Sequence, residues 1–296
     1  MPELPEVEII KRGLNEKIVG KQIAEVDIRV PKIFQGQKDS VIGAKVLKIE
    51  RRAKMMIIEL SNNKSMLVHL KMTGQLVYQQ VKSKKEKVKS GKQNTEFRGG
   101  HPQKGYLGKL PNQFTHVIFT FKDGGVLYFN DLRKFGYIKV YDTKEINDLK
   151  VLKELGPEPY DKKLTPEYLM KICAKKSRTK IKQILMDQTA ISGVGNIYAD
   201  ESLFCAGISP LRQVKDIKRS ELEKIINCIK KVLKKGLEYG GSSENTFVNV
   251  EGKQGQMQKH FQVYRQTGNN CPHGCGRIER TVVAGRGTHY CPICQQ

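Results

Sequence analysis

The sequence predicts a mixed α and β protein built from three successive parts. Apolar and polar residues alternate over much of 22–141, a pattern typical of strands that bury one face. Beyond residue 161 the apolar residues recur at helical spacing, and the C-terminal end carries two close pairs of cysteines. We therefore expect a β domain, then a helical domain, then a metal-binding ribbon.

A helix is expected to precede the β domain, from Glu6 to Val19, with Gly20 marking its end. The apolar face of this helix consists of Val7, Ile10, Leu14 and Ile18. Pro5 suits the first turn, because the N–H that proline lacks would have had no partner there. Pro2 lies too early to serve the helix, so its presence calls for another explanation.

The β domain contains one clear hairpin and one interruption. The run "KDGG" at 122–125 predicts a tight turn, since Asp-Gly and Gly-Gly supply the positive φ that such turns need. Residues 82–113 break the alternation with a lysine-rich and then glycine-rich stretch, which we interpret as a mobile inserted loop. Its lysines are consistent either with an arm that attracts phosphates or with a solvated linker.

Helix start and stop signals follow in the second half. Thr165 is a predicted N-cap, and a capping box is predicted from Ser220 to Glu223. Between them, the turn "GVGN" is followed by a helix expected from Asn196 until Gly207. A glycine-rich turn that opens a helix presents backbone N–H groups and a positive dipole end, both of which suit a phosphate.

The seven cysteines divide into two groups. Four of them form two close pairs that can complete a tetrahedral thiolate site: Cys271, Cys275, Cys291 and Cys294. This spacing predicts one structural zinc ion, with disulfides as the alternative. The others are expected to be small buried thiols in a reducing compartment: Cys173, Cys205 and Cys228.

The charge points to a polyanionic partner. Lysine and arginine number 53 against 30 aspartate and glutamate residues, a net charge of +23. Such a balance indicates nucleic acid, with solubility alone as the alternative. No stretch has the length of a membrane span and the N-terminus does not resemble a signal peptide, so we expect a cytosolic protein without a membrane partner.

Six segments carry a resemblance to the bacterial formamidopyrimidine-DNA glycosylases, in the order of that family. They are "PELPEVE" at 2–8, "RRAKMMII" at 51–58, "HLKMTGQL" at 69–76, "NDLRKFG" at 130–136, "ILMDQTAISGVGNIYADESLF" at 184–204 and "IERTVVAGRGTHYCPICQ" at 278–295. The resemblance implies an N-terminal β-sandwich with a leading helix, a helical helix-two-turn-helix domain and a C-terminal zinc-finger β-hairpin. The implied parts are a catalytic domain at 1–150, a linker at 151–161, the helical domain at 162–241, a lesion-capping loop region at 242–260 and the zinc finger at 261–296.

The implied activity is that of a monomeric bifunctional DNA glycosylase and abasic-site lyase of the bacterial cytosol. It removes oxidised purines such as 8-oxoguanine and formamidopyrimidines from duplex DNA and cleaves the strand by β,δ-elimination. By resemblance, Pro2 becomes the nucleophilic amine once Met1 is removed, and Glu3 transfers protons. By the same resemblance, Glu6 orients the nucleophile or its water, with compensation of the helix dipole as the alternative interpretation. Lys54 and Arg286 complete the implied catalytic set as ligands of the phosphates around the lesion.

Further residues are implied to bind the DNA: His69, Met72, Arg133, Phe135 and Asn196. Met72, Arg133 and Phe135 enter the duplex where the damaged base leaves the stack. His69 and Asn196, together with Lys71, contact phosphates. Without the resemblance, core packing would be the better interpretation for Met72 and Phe135.

The sequence departs from the family pattern at one point, and two alternative functions are also compatible with it. Cys271 and Cys275 are separated by three residues, whereas the family usually has two, a spacing that still suits zinc. A related enzyme of the endonuclease VIII type would act on oxidised pyrimidines or single-stranded DNA. A non-catalytic protein that binds damaged DNA is the alternative from another class, although it would not need Pro2, Glu3 and Lys54 together.

Overall fold

The computed structural model describes residues 1–80, 110–242 and 255–296, together with the backbone of 96–100. The chain forms two compact units. The first, the N-terminal unit, comprises Met1–Leu152 and Tyr239–Gln256, and the second, the C-terminal unit, comprises Lys153–Glu238 and Met257–Gln296. Within these described ranges, no helix is both long enough and apolar enough to cross a membrane.

The N-terminal unit consists of one long helix and two five-stranded sheets. The helix is α1 (Leu4–Ile18), and the strands are β1 (Ile23–Ile28), β2 (Phe34–Gln35), β3 (Val46–Arg52), β4 (Met55–Leu60), β5 (Lys64–His69), β6 (Gly74–Gln80), β7 (Glu96–Gly100), β8 (Thr115–Phe121), β9 (Gly125–Asp131) and β10 (Tyr137–Asp142). The first sheet has the order β1-β8-β9-β6-β7 and the second β2-β10-β5-β4-β3. The chain passes from one sheet to the other three times, between β1 and β2, between β5 and β6, and between β9 and β10.

These sheets form the predicted β-sandwich. The ring of Phe34 in the second sheet packs 6.3 Å from that of Phe119 in the first. The predicted hairpin is confirmed, with Gly124 at φ +82° between β8 and β9. Strand β7 pairs with β6 inside the segment that the sequence suggested was a loop, so that prediction was wrong at 96–100. Residues 81–95 and 101–109 of the predicted insertion lie outside the described residues.

Helix α1 begins at Leu4, two residues earlier than predicted, with Glu3 as its N-cap and Pro5 in its first turn. The predicted apolar face is confirmed, since Val7, Ile10, Leu14 and Ile18 are each at most 1% exposed. This face packs the helix against β3 and β4 of one sheet and β6 of the other. Burial of four large aliphatic side chains contributes roughly 6–12 kcal/mol of transfer free energy, which fixes the helix and the residues at its start.

The short helix α2 (Lys150–Lys153) spans the boundary between the units. The helices of the C-terminal unit are α3 (Pro166–Lys175), α4 (Ile181–Met186), α5 (Asn196–Ala206) and α6 (Arg219–Glu238). Its hairpin consists of β11 (Glu279–Val283) and β12 (Arg286–Tyr290). The predicted cap is confirmed, since the Thr165 hydroxyl accepts the Tyr168 N–H at 3.1 Å. Helix α5 also begins and ends as predicted, with Gly207 at φ +66°.

Two predictions for this unit were wrong. Helix α6 begins at Arg219 instead of following an N-cap at Ser220, and the Glu221 carboxylate accepts the Lys218 N–H at 2.7 Å. Cys205 and Cys228 were predicted to be buried free thiols, but a disulfide joins them. The sequence did not reveal this pair, because the two positions become neighbours only when α5 packs on α6. Cys173 is a buried free thiol, and burial raises its pKa.

Candidate functional site

The first turn of α1 is a buried cluster of proline and glutamate. Pro2, Glu3 and Glu6 are all buried, and both glutamates are at most 3% exposed. One carboxylate oxygen of Glu6 accepts the Glu3 N–H at 2.9 Å, and the other accepts the Ser242 N–H at 2.9 Å. Glu6 therefore holds the backbone beside Pro2 and also Ser242, the residue that precedes the segment 243–254. That segment, which contains much of the predicted lesion-capping loop, lies outside the described residues.

Two turns of the N-terminal unit are joined by a buried carboxylate. Asp131 is fully buried and accepts the Arg133 N–H at 3.1 Å, the Gly136 N–H at 2.7 Å and the Thr73 hydroxyl. A Cβ on Gly136 would come within 2.8 Å of the Phe129 ring, so this close approach requires glycine. Asp131 thus fixes the turn before β10 to the turn before β6.

The three residues that the resemblance implied would enter DNA lie on these two turns. Met72 is 36% exposed and Phe135 is 55% exposed, although both are large and apolar. The Arg133 guanidinium lies 4.8 Å from the centroid of the Phe135 ring, a cation–π arrangement. The structure therefore places Met72, Arg133 and Phe135 on one pair of joined turns instead of in the core.

Lys54 and His69 lie at the ends of neighbouring strands. Lys54 follows Ala53, which has φ +54°, in the turn between β3 and β4, and it is only 6% exposed. His69 ends β5, and its Nδ1 accepts the Lys71 N–H at 2.9 Å. Burial and the positive charges of Lys71 and Lys54 lower the pKa of His69 to about 3. The imidazole is therefore neutral near pH 7, with its Nε2 side left as a neutral hydrogen-bonding group.

The four cysteines predicted to bind a metal come together in the C-terminal unit. Their sulfur atoms all lie within 4.8 Å of one another. The Sγ–Sγ distances are 3.7 Å for Cys271–Cys294, 3.4 Å for Cys275–Cys271 and 3.5 Å for Cys275–Cys291. A tetrahedral zinc ion with bonds of about 2.3 Å separates its sulfur ligands by about 3.8 Å, so the cluster fits such an ion. The wider cysteine spacing in the first pair does not prevent the convergence.

The β11–β12 hairpin presents Arg286 at its tip. Ala284 and Gly285 form the two-residue turn with φ values of +48° and +72°, and Arg286 is the first, exposed residue of β12. The Asn196 amide of α5 donates to the Gly287 carbonyl at 3.0 Å, so Asn196 and Arg286 flank the same turn. The Oδ1 atom of Asn196 is buried without a hydrogen-bond partner.

A buried ion pair fixes β12 against the helices. Lys182 is fully buried, and its ammonium lies 2.6 Å from Asp200 while donating to the Gly287 carbonyl at 3.0 Å and the Thr288 hydroxyl at 2.8 Å. The second oxygen of Asp200 accepts the His289 N–H at 2.9 Å. These contacts reach three consecutive residues after Arg286, and they set the position of its backbone.

A second buried carboxylate on α5 holds the segment that follows the short 3₁₀ turn at 257–260. Glu201 accepts the N–H groups of Gln262, Val263 and Tyr264 at 2.9–3.0 Å. Burial raises the pKa of Glu201, although these three hydrogen bonds act in the opposite direction. Helix α5 therefore organises both β12 and residues 262–264.

Comparison with known proteins places these features in one family. A family model described as the formamidopyrimidine-DNA glycosylase N-terminal domain matches residues 1–138, and one described as the H2TH domain of the same enzyme matches residues 155–248. The chain belongs to the formamidopyrimidine-DNA glycosylase family. It is therefore a DNA glycosylase of base-excision repair, in a family that also has lyase activity.

Individual relatives in this glycosylase family cover the whole chain. The formamidopyrimidine-DNA glycosylase of Carboxydothermus hydrogenoformans is 38% identical over 100% of both chains, and that of Pelotomaculum thermopropionicum is 36% identical over 100% of this chain and 99% of the relative. The wild-type Lactococcus lactis enzyme, solved in complex with a DNA containing N7-benzyl-Fapy-dG, is 32% identical, with a TM-score of 0.83 over 100% of both chains. Its complex with an abasic-site DNA has a TM-score of 0.82, with 32% identity over 99% of both chains.

Several residues that hold the candidate site residues of each unit in place were not singled out from the sequence: Thr73, Asp131, Lys182, Asp200 and Glu201. Their local signal is weak, because Thr73 lies in an ordinary turn and the others lie inside strand or helix patterns where a polar residue is unremarkable. Asp131, at the end of the apolar run "GVLYFND", and the adjacent acids of "YADES" could have drawn attention. Their partners are too distant in sequence for local periodicity to identify.

We expect Lys182→Met to destabilise the C-terminal unit and to weaken DNA binding. The change leaves the Asp200 carboxylate buried without its cation, a loss of roughly 3–5 kcal/mol, which corresponds to a fall in Tm of about 10 °C. Calorimetry and binding to a duplex with an abasic-site analogue measure the two effects. Lys171→Met on the exposed side of α3 is the control. Equal Tm and affinity in Lys182→Met and the parent would contradict the role assigned to the pair.

Proposed function

We propose that this glycosylase excises oxidised purines from duplex DNA and then cleaves the strand, using the secondary amine of Pro2 as nucleophile. The observation that carries the proposal is the buried Pro2–Glu3 pair at the start of α1, whose backbone is held by Glu6. A proline amine needs only the removal of Met1 to become free, and it is far less basic than a lysine amine. The site thus provides a nucleophile and an adjacent carboxyl group.

The chemistry follows from these two groups. The Pro2 nitrogen attacks C1′ of the damaged nucleotide, a C–N bond forms and the bond to the base breaks, and the proton lost by the amine balances the one gained by the departing base. The nitrogen lone pair then forms the C=N bond of an iminium as the C1′–O4′ bond breaks and the sugar ring opens. Glu3 supplies a proton to the opening sugar and then moves protons during elimination. The resulting iminium draws electrons from the sugar, so the bonds to the 3′ and 5′ phosphates break in turn. Glu6 acts as a positioning residue, through its hydrogen bond to the backbone of Glu3.

The joined turns of the N-terminal unit suit the space that a flipped base leaves. Removing a base from the stack costs a few kcal/mol, which apolar and cationic side chains inserted into the duplex offset. Met72 and Phe135 are exposed, and Arg133 stacks on Phe135. We assign Phe135 to the neighbouring base step and Arg133 to the base left without its partner.

Phosphate binding is assigned to Lys54 in the N-terminal unit and to the hairpin tip in the C-terminal unit. His69 contributes as a neutral hydrogen-bond donor, because its lowered pKa excludes a cationic role near pH 7. Within the C-terminal unit, a cavity of about 440 Å³ is lined by Asn196, Arg265, Arg280 and Gly287 among others. Cationic and amide side chains around such a cavity favour a phosphate of the DNA backbone.

The cysteine cluster would hold one zinc ion with no part in the reaction itself. Four thiolate ligands leave no open position, so zinc there acts only as a fold-stabilising ion. Cys271 and Cys275 precede β11, while Cys291 and Cys294 follow β12. The ion would therefore close the base of the hairpin that presents Arg286.

Borohydride trapping tests the proposed function directly. The full chain is incubated with a duplex containing one 8-oxoguanine opposite cytosine, the reductant is added, and a denaturing gel and N-terminal peptide mass locate any adduct. An adduct on Pro2 is the expected result. A parallel duplex with an oxidised pyrimidine tests the endonuclease VIII alternative, since trapping there alone would overturn the purine assignment. No adduct with these duplexes or with an abasic site would favour a protein that only binds damaged DNA.

We expect Arg286→Ala to weaken binding to an abasic-analogue duplex about 10- to 100-fold, the loss of one charge-assisted contact. The slope of log Kd against log salt should also fall by about one unit, because one phosphate is no longer neutralised. Arg277→Ala is the matched control, since Arg277 is exposed on the same ribbon but lies beyond the other end of β11. An equal effect of both substitutions would show only a general loss of charge.

A further inference from the structure

Two cysteines outside the metal cluster form a cross-link between helices. Cys205 lies near the C-terminal end of α5, Cys228 lies in the middle of α6, and a disulfide joins them. Their Cα atoms are 5.8 Å apart, within the usual range for a disulfide. The packing of α5 on α6 therefore accommodates the bond without movement of either helix.

Neither sulfur has a part in the reaction or in the metal cluster. Among the cysteines of the described residues, Cys173 is the remaining one outside the cluster, and it is a buried free thiol. Cys205, by contrast, is half-buried and lines a cavity of about 250 Å³, in which Lys231 and Lys235 face the single carboxylate of Glu201. A small oxidant can reach its sulfur through this cavity, and neighbouring positive charge favours the reactive thiolate form of a cysteine.

The cross-linked helix is the one that organises the DNA-binding part of the C-terminal unit. Helix α5 carries Asn196 and Asp200, which bond to β12, and Glu201, which bonds to residues 262–264. A covalent bond to α6 at Cys205 limits separation of α5 from its neighbour. The contacts of Asn196, Asp200 and Glu201 connect the cross-linked helix to the hairpin and to residues 262–264.

We propose that Cys205 and Cys228 are a reversible, peroxide-responsive dithiol–disulfide pair that fastens α5 to α6 under oxidising conditions. Radicals formed from peroxides also oxidise DNA bases, so the pair would stabilise the enzyme when its substrates form; only this last clause rests on the proposed function. In most cytosolic proteins disulfides are transient and responsive rather than permanent, which fits a reversible pair.

The reaction is balanced with one molecule of hydrogen peroxide. The Cys205 thiolate attacks a peroxide oxygen, an S–O bond forms, and the O–O bond breaks to release hydroxide, which takes up a proton as water. The Cys228 sulfur then attacks the sulfenic sulfur, the S–S bond forms, and the leaving hydroxide takes the Cys228 proton as a second water. The two thiols lose two electrons and the peroxide gains them. A dithiol reductant reverses the step by exchange and becomes a disulfide itself.

Peptide mapping after graded peroxide tests the pair without any measurement of glycosylase activity. The full, zinc-loaded chain is reduced, freed of reductant, treated with hydrogen peroxide, quenched with catalase and alkylated with N-ethylmaleimide. A cross-linked peptide pair joining Cys205 to Cys228 should appear at doses that leave the metal bound, and a dithiol should remove it. Separate alkylation of both cysteines at doses that already release the metal would overturn the proposal.

Thermal unfolding tests the fastening role. A cross-link that closes the loop from Cys205 to Cys228 should raise the Tm of the oxidised parent about 5–10 °C above that of the reduced parent. The shift should vanish in Cys205→Ser and in Cys228→Ser and persist in Cys173→Ser, the control. A cross-link that forms without a change in Tm would refute the fastening role, as would an equal shift in Cys205→Ser. Because neither readout involves DNA, their failure is separate from failure of the proposed glycosylase chemistry.

Discussion

A chain that retains any residue before Pro2 is expected to form no covalent adduct with lesion DNA. The Pro2 nitrogen is then part of an amide, whose lone pair is delocalised into the carbonyl and cannot attack C1′. Strand cleavage at 8-oxoguanine should fall at least about 1,000-fold, equivalent to about 4 kcal/mol of transition-state stabilisation. Borohydride trapping and single-turnover cleavage measure the loss.

The matched control carries the same extension at the C-terminus and should react like the parent. Pro2→Gly provides an intermediate case, because its primary amine forms an imine that must be protonated to carry the charge which proline's iminium holds permanently. We expect Pro2→Gly to be slower by about 100-fold while binding an abasic-analogue duplex normally. Parent-level cleavage by the N-terminally extended chain would rule out Pro2 as the nucleophile.

Removal of the metal is expected to abolish DNA binding and activity together. A structural zinc ion supplies an apparent 10–16 kcal/mol in small zinc domains, which is as large as the whole stability of many domains. Without it, the four thiols no longer close the base of the hairpin, so the β12 contacts to Lys182 and Asp200 are lost. We expect Cys291→Ser, at a fully buried ligand, to lower affinity for an abasic-analogue duplex at least about 100-fold.

Metal analysis and fluorescence anisotropy check this expectation. The parent should contain one zinc ion per chain, and the chelated chain should recover binding when zinc is returned. Cys173→Ser is the control, because Cys173 is also buried in the C-terminal unit but does not belong to the cluster. A metal-free chain that binds the duplex as tightly as the parent would contradict the role assigned to the ion.

The order of the parts and several element boundaries were predictable from the sequence. Alternation of apolar residues, the "KDGG" turn, the Thr165 cap and the Asn196–Gly207 helix are local signals, since each depends on residues a few positions apart. The four cysteines that come together in the cluster were predictable for the same reason, because two close pairs are recognisable without knowledge of the fold. Motifs, taken with the family resemblance, likewise singled out Pro2 and Glu3.

Contacts between distant residues required the structure. The sequence does not indicate that Glu6 accepts the N–H of Ser242, that Asp131 joins two turns, or that strand β7 lies within a lysine- and glycine-rich stretch. In the C-terminal unit, the same holds for the Lys182–Asp200 pair and the Cys205–Cys228 disulfide.

The difference between the features that the sequence predicts and the contacts that only the structure shows has a physical origin. Periodicity, capping and metal-ligand spacing arise from backbone geometry over one or two turns, so the sequence by itself determined the kinds of element and the reactive groups. Which buried charge meets which partner depends on how helices and strands from remote parts of the chain pack, and a buried Asp or Lys is stable only where that packing supplies its counter-charge or hydrogen bonds. Only the tertiary structure decided how Glu6, Asp131 and Lys182 support the residues that the sequence had already singled out.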